Sequence, residues 1–155
     1  MDKIVARAIA KWPNVPAVYG WLSLDRRGNW LIKGARIANV GLREFIARNY
    51  EADERGRWFF QNGPQRVFVA LAYTPFVMHW QGERLFDQCG REVTAKETYL
   101  DDEGSVLVLG EQGIGLLDDR DLERYADRAA ELAKIDRADV AARFGFVQNP
   151  SDSLR

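Results

Sequence analysis

Arginines and aromatics stand together in RGRWFFQNGPQR, residues 55–66. If this run is extended, side chains alternate between two faces. Arg57, Phe59 and Gln61 then share one face, and Trp58 and Phe60 share the other. An Arg-Phe-Gln face suits a base or a sugar, and a Trp-Phe face suits a core. Tyr50 and Arg66 stand close enough in sequence to extend the first face, so Arg57, Phe59, Gln61, Arg66 and Tyr50 are the candidate binding residues. A guanidinium matches planar anions, so Arg57 and Arg66 could meet an acidic ligand or partner. The alternative is that both are surface residues paired with Glu51 or Asp53.

The rest of the chain offers little to catalysis. A zinc site needs three or four Cys, His or carboxylate ligands, and the chain holds one Cys and one His. The acidic turn Asp101-Asp102-Glu103 lacks the spacing of a calcium loop. A Cys89–His79 dyad is disfavoured as well. A hairpin turning at Gln81-Gly82 sets His79 opposite Arg84, with Cys89 further along the strand. GEQGIGLL (110–117) has neither the lysine of a phosphate loop nor the third glycine of a dinucleotide fingerprint, and its glycines read as a strand bend or bulge. Glu44, Glu51, Asp53 and Glu54 cluster near one helix end and read as a solvated surface. No catalytic residue, metal or cofactor is therefore assigned. A carboxylate pair assembled only by folding stays open as an enzymatic alternative.

Several elements must position these residues. Ile4, Val5, Ala8, Ile9 and Trp12 recur at helical spacing from Asp2 to Pro13. VYGWLSL (18–24) and NWLIK (29–33) read as a hairpin, followed by a helix over 39–50 with Asn39 as its cap. RWFFQ (57–61) and QRVFVALAY (65–73) form a second hairpin about Asn-Gly-Pro, its second strand apolar on both faces and hence central. FVMHW (76–80) with ERLFD (83–87) makes a third hairpin, and strands at 98–100, 105–109 and 113–117 continue the sheet. Leu122, Tyr125, Ala126, Ala129, Leu132 and Ala133 stripe an expected α-helix over 119–134, and a short helix over 137–144 stops at Gly145. Trp21, Trp30, Trp58, Phe60, Phe68, Phe76 and Trp80 are all expected to face inward, and the tail from Gln148 has nothing to bury.

With 155 residues and 46% hydrophobic content, the chain can bury a core without staples. Its 22 basic and 23 acidic residues leave a net charge of −1, which makes nucleic acid an unlikely partner. Cys89 alone fits a reducing compartment. The charged N-terminus is unlike a signal peptide, and no apolar run could span a membrane, so a cytoplasmic protein is expected. Organisation is read as an N-terminal helix and connector over 1–17, one hairpin-helix-hairpin unit over 18–80, a second with the C-terminal helices over 81–147, and a tail over 148–155. One compact domain is the alternative.

Asp, two polar residues and Gly recur as DRRGNW (25–30), DERGRW (53–58) and DDEGSV (101–106). Asp can accept backbone amides ahead of it and Gly tolerates positive φ, so these are turns. A duplicated hairpin-plus-helix unit and three independent turns explain them equally well. Around them, Gly20, Leu22, Gly28, Trp30, Gly34, Ile37, Leu42, Phe45, Asp53, Gly56, Pro64, Val67, Pro75, Phe76, Val93 and Thr94 follow a D-G-x-W turn, an L-x-x-x-F helix and a P-F strand. Over about half the chain this order resembles a proteobacterial family of domains of unknown function, or a sister of it. Trp21 stands where that family often has Asp. The resemblance implies an α+β fold of repeated hairpin and helix motifs, with ligand binding or signalling suggested and no catalytic residue carried across.

The fold class expected is therefore α+β, with antiparallel sheets built of repeated β-hairpin plus helix units and the helices packed on the sheet. The function expected is a non-catalytic, regulatory module binding a small molecule or a protein, in a pocket between sheet and helix. A nucleic-acid binder using the Arg57/Phe59 face and an enzyme with a hidden carboxylate pair are the alternatives. A homodimer is an open option.

Overall fold

The computed structural model describes residues 1–11 and 17–151. The expected stop of the first helix at Pro13 lies outside them. The chain divides into two compact units, one of residues 1–25, 29–72 and 146–155, the other of 26–28 and 73–145.

In the first unit, α1 (Lys3–Lys11) precedes β1 (Val18–Leu24), β2 (Trp30–Ile32) and β3 (Ala35–Arg36). Next come α2 (Val40–Arg48), β4 (Tyr50–Ala52), β5 (Trp58–Asn62) and β6 (Gln65–Leu71). The strands lie in the order β3-β2-β1-β6-β5-β4. Each run of three is an antiparallel meander, and the two join by parallel pairing of β1 with β6. β6 is thus internal to the sheet, as its two apolar faces require. Parallel neighbours need a long crossover, and α2 lies within it. Asn39 starts α2 by accepting the Leu42 N–H at 2.9 Å. Asn49 ends it fully buried, its side chain accepting the Asp2 N–H and donating to the Asp2 carboxylate.

The second unit runs β7 (Phe76–Gln81), β8 (Arg84–Phe86), β9 (Glu92–Val93), β10 (Glu97–Asp101), β11 (Val106–Leu109), β12 (Ile114–Leu117) and β13 (Ala133–Ile135). Its order is β13-β10-β11-β12-β7-β8-β9, and β12 pairs parallel to β7. Apart from β13, this repeats the strand order of the first unit. The fold is α+β and mostly sheet, but the sheets are mixed rather than antiparallel. What recurs is the strand order without the helix, because residues 94–96, rather than a helix, link β9 to β10.

Four turns, not three, follow the Asp-x-x-Gly pattern, since Asp87-Gln88-Cys89-Gly90 joins the others. The Asp53 Oδ1 accepts the N–H groups of Arg55 and Arg57. Asp87 does the same for Cys89 and Arg91, and Asp101 for Glu103 and Ser105. Asp25 accepts the Asn29 N–H at 2.8 Å. The glycines have φ between 79 and 86°, a region closed to most side chains.

Several other expectations are corrected. Residues Asp119–Glu131 wind as 3₁₀ turns rather than an α-helix, and only Tyr125 and Leu132 of the expected stripe are buried. Residues three apart eclipse in such winding, which sets Arg128 over the Tyr125 ring. An alanine stripe has little area to bury, so Leu132 leaves the winding and Ile135 is buried in β13 instead. The tail is also tied down at its start. The Leu71 N–H donates to the Gln148 carbonyl at 2.8 Å, and Pro150 is buried. No helix among the described residues is long and apolar enough to cross a membrane.

Candidate functional site

A cleft of about 400 Å³ lies between α2 and the sheet of the first unit. Val18, Leu22, Phe60 and Val67 form its floor, and Leu42 and Ile46 of α2 form its roof. Register explains the shared floor, for Val18 and Phe60 both pair with Val67, and Leu22 pairs with Val69 two residues on. Phe45 of α2 meets Phe60 edge-on at 5.5 Å and ties the helix to the sheet. Asn62 and Gln65, paired at the end of the β5–β6 hairpin, bring amide groups to one end. Among the described residues, no charged side chain lines it. A site of this size and composition suits a small apolar molecule with one or two neutral polar groups.

Trp21 and Ile32 complete the wall and are exposed, as is Leu42. Trp21 was expected in the core, and its indole is instead 50% exposed. The cause is a bulge, where Val18 to Leu22 on β1 spans only Val67 to Val69 on β6, with Gly20 at φ 78°. In a regular strand Trp21 would face away from Leu22; the bulge turns both toward the cleft. Of the other rings expected inside, Trp80 is half-buried, while Trp30, Trp58, Phe60, Phe68 and Phe76 are buried.

The candidates from residues 50–66 lie mostly behind this site. Phe59 and Gln61 are each 1% exposed and Tyr50 is 4% exposed. Arg57 Nε donates to Asp53 at 2.8 Å and an Nη to the Tyr19 hydroxyl at 3.2 Å, with its guanidinium over Phe68. The pairing with Asp53 was one of the two alternatives for Arg57. Arg66 lies over Phe59, 4.2 Å from the ring centre. The aromatic faces a base would stack on are occupied by the chain's own arginines. Burial pushes the Asp53 carboxyl up, but hydrogen bonds from Arg57 and Arg55 outweigh it, and the group stays below the usual carboxylate range.

Other titratable groups in the second unit serve structure. His79 pairs with Phe86 rather than facing Arg84, because the chain turns at Gly82-Glu83, one residue later than expected, and sets Gln81 against Arg84. Burial and the Asp87 carboxylate push the Cys89 thiol up to about 12, which leaves almost no thiolate at neutral pH. Tyr73 donates to the buried Asp101 at 2.8 Å, and burial raises its hydroxyl far above the ordinary value. No group of three or more His, Cys, Asp or Glu among the described residues is arranged to hold a metal ion. The glycines of 110–117 make the β11–β12 connection and two close approaches, not a phosphate cradle. A Cβ on Gly115 would come within 2.9 Å of Met78, and one on Gly110 within 2.5 Å of Val93.

Sequence patterning pointed to a pocket between sheet and helix, but not to its residues. Val18, Leu22, Ile46 and Val67 look like any other core positions. The one local signal was Gly20 inside a strand, a mark of bulges.

No curated protein matches this chain. Among solved structures, a DUF1285 family protein from Silicibacter pomeroyi DSS-3 shares the fold with a TM-score of 0.56 and 17% identity, over 82% of this chain and 84% of that one. A second, from Shewanella baltica OS155, has a TM-score of 0.53 and 16% identity, over 68% of this chain and 90% of the other. Those identities speak to fold alone. A family model described as "Protein of unknown function (DUF2946)" matches residues 1–151, and the chain belongs to that family.

Proposed function

We propose that the chain is a non-catalytic binding module whose ligand occupies the cleft beneath α2. The observation that carries this reading is an apolar cleft of about 400 Å³ whose rim keeps Trp21, Ile32 and Leu42 exposed. Leaving such side chains in water forfeits the free energy of burying them, and a ligand that covers them recovers it. Phe59 and Gln61 shape the sheet behind the cleft in this reading, Tyr50 packs on Trp30 and Trp58 on the same sheet face as Phe60, and Arg57 and Arg66 hold the reverse face together. A regulatory role would follow if occupancy altered how the module meets a protein.

An uncharged probe tests the reading. Titrating methyl-labelled protein with 1-decanol should shift the methyl resonances of Val18, Leu22, Ile32, Leu42 and Ile46 saturably, and leave those of Leu107 and Leu116 in place. Absence of shifts up to the solubility limit, or shifts spread evenly over the chain, would overturn it.

A further inference from the structure

No charged side chain among the described residues lines the cleft, yet a cation stands at its rim. Lys33 opens the two-residue turn between β2 and β3, with φ 52° followed by Gly34 at φ 82°. Two successive left-handed residues make the hairpin turn that matches strand twist, so the position of Lys33 is fixed by backbone geometry. Its N–H donates to the Trp21 carbonyl at 2.9 Å, and its ammonium lies 4.5 Å from the centre of the Trp21 ring. Lys33 is exposed, and no carboxylate among the described residues forms an ion pair with it. The ammonium therefore rests on an indole that itself walls the cleft.

Resting on the reading above, we infer that the ligand is an anionic amphiphile, its hydrocarbon part between α2 and the sheet and its charged head at Lys33. Two physical facts select this class. A charge cannot enter the apolar lining without losing its hydration, so any charged head must stay at the rim. There the unpaired cation attracts an anion and repels an ammonium. A charge-assisted hydrogen bond to a carboxylate is stronger than a half-exposed contact with a ring face, so the ammonium leaves the indole when the anion arrives. Trp21, released on a bulge that Gly20 permits, can then settle over the chain of the ligand. Asn62 and Gln65, at the hairpin end, are uncharged and offer no comparable hold on a charged head.

Calorimetry with decanoate, 1-decanol and decylammonium tests this on the full chain and on Lys33→Asn. Asparagine tolerates the left-handed backbone, so the turn should survive, and Lys33→Arg serves as a charge-retaining control. Decanoate should bind the native protein about fivefold or more tightly than decanol at low salt, with decylammonium weakest. Lys33→Asn should erase the preference while leaving decanol affinity unchanged, and Lys33→Arg should keep it. Decanoate should also change the emission that is lost in Trp21→Phe. No preference for decanoate, or one that persists in Lys33→Asn, would overturn the anionic assignment and leave the cleft as a neutral site. Failure of all three probes to bind would overturn both.

Discussion

In the first unit the floor of Leu22, Phe60 and Val67 stops short of α2 and leaves a cleft. In the second, Met78 of β7 fills the space over Gly115 of β12, so close that a single methyl there would collide with it. Both sheets join two meanders through one parallel pair. That pair is bulged in the first unit and regular in the second, where Phe76, Val77 and Met78 face Gly115, Leu116 and Leu117 in step. One strand order thus supports an open sheet face and a closed one. The difference resides in a glycine that splays β1 and another that admits Met78.

The largest effect should come from the buried acids of the shared turn. Asp101 accepts two backbone N–H groups and the Tyr73 hydroxyl, and the hydroxyl has little access to water. Asp101→Ala should cost about 3 kcal/mol or more, since it strands buried donors. Asp53→Ala should cost less, because Arg57 is partly exposed and can turn to solvent. Urea unfolding of the two variants measures the gap. Equal losses would mean that the turn itself, and not the Tyr73 bond, carries the energy.

Enlarging side chains probes the closed and open faces directly. Gly115→Val should lose about 1–3 kcal/mol by overpacking against Met78. Val67→Phe grows into the cleft, so its stability should stay within about 1 kcal/mol of native while decanol binding disappears. Thermal unfolding and the methyl titration read the two together. A loss for Val67→Phe as large as that for Gly115→Val would show that the cleft has no room.

How far was this difference legible in the sequence? Strand positions were, because alternation in 65–73 and the Asp-x-x-Gly turns are local signals that survive in any context. The parallel joins were not, since nothing in β1 or β6 says which distant strand lies beside it. The 119–134 segment misled for a related reason. Its apolar spacing fits an α-helix, but winding was decided by what Leu132 and Ile135 could bury. At the site, Arg57 and Phe59 drew attention because Arg and Phe are chemically loud. The cleft is made mostly of Val, Leu and Ile, which look alike whether they line a core or an opening.

Gly20 offers a gentler way to break the comparison. Gly20→Ala places a Cβ on a backbone at φ 78° that meets no neighbour, so the cost is conformational alone, about 1 kcal/mol. The strand should relax toward the regular pairing seen in β7 and β12, drawing Trp21 off the cleft. Fluorescence reads this as a change absent from the same substitution in a Trp21→Phe background. An unchanged spectrum would detach the bulge from the placement of Trp21.

The smallest effect expected is electrostatic and belongs to the second unit. Hydrogen bonds from the Arg120 side chain, aided by its N–H and charge, outweigh burial and hold the Asp118 carboxyl down to about 2. A folded value below the unfolded one, about 3.9, means that the bound proton favours unfolding. The contribution of Asp118 is then fully present above about pH 4 and is lost as pH falls toward 2. Arg120 is largely exposed, so solvent screening limits the contribution at neutral pH to about 1 kcal/mol or less. Asp118→Asn should flatten the fall of the urea midpoint between about pH 4 and 2 while shifting it little at pH 7. Added salt should shrink the difference further. A fall as steep in Asp118→Asn as in the native chain would assign the acid sensitivity to other carboxylates, with Asp53 of the first unit the next to test.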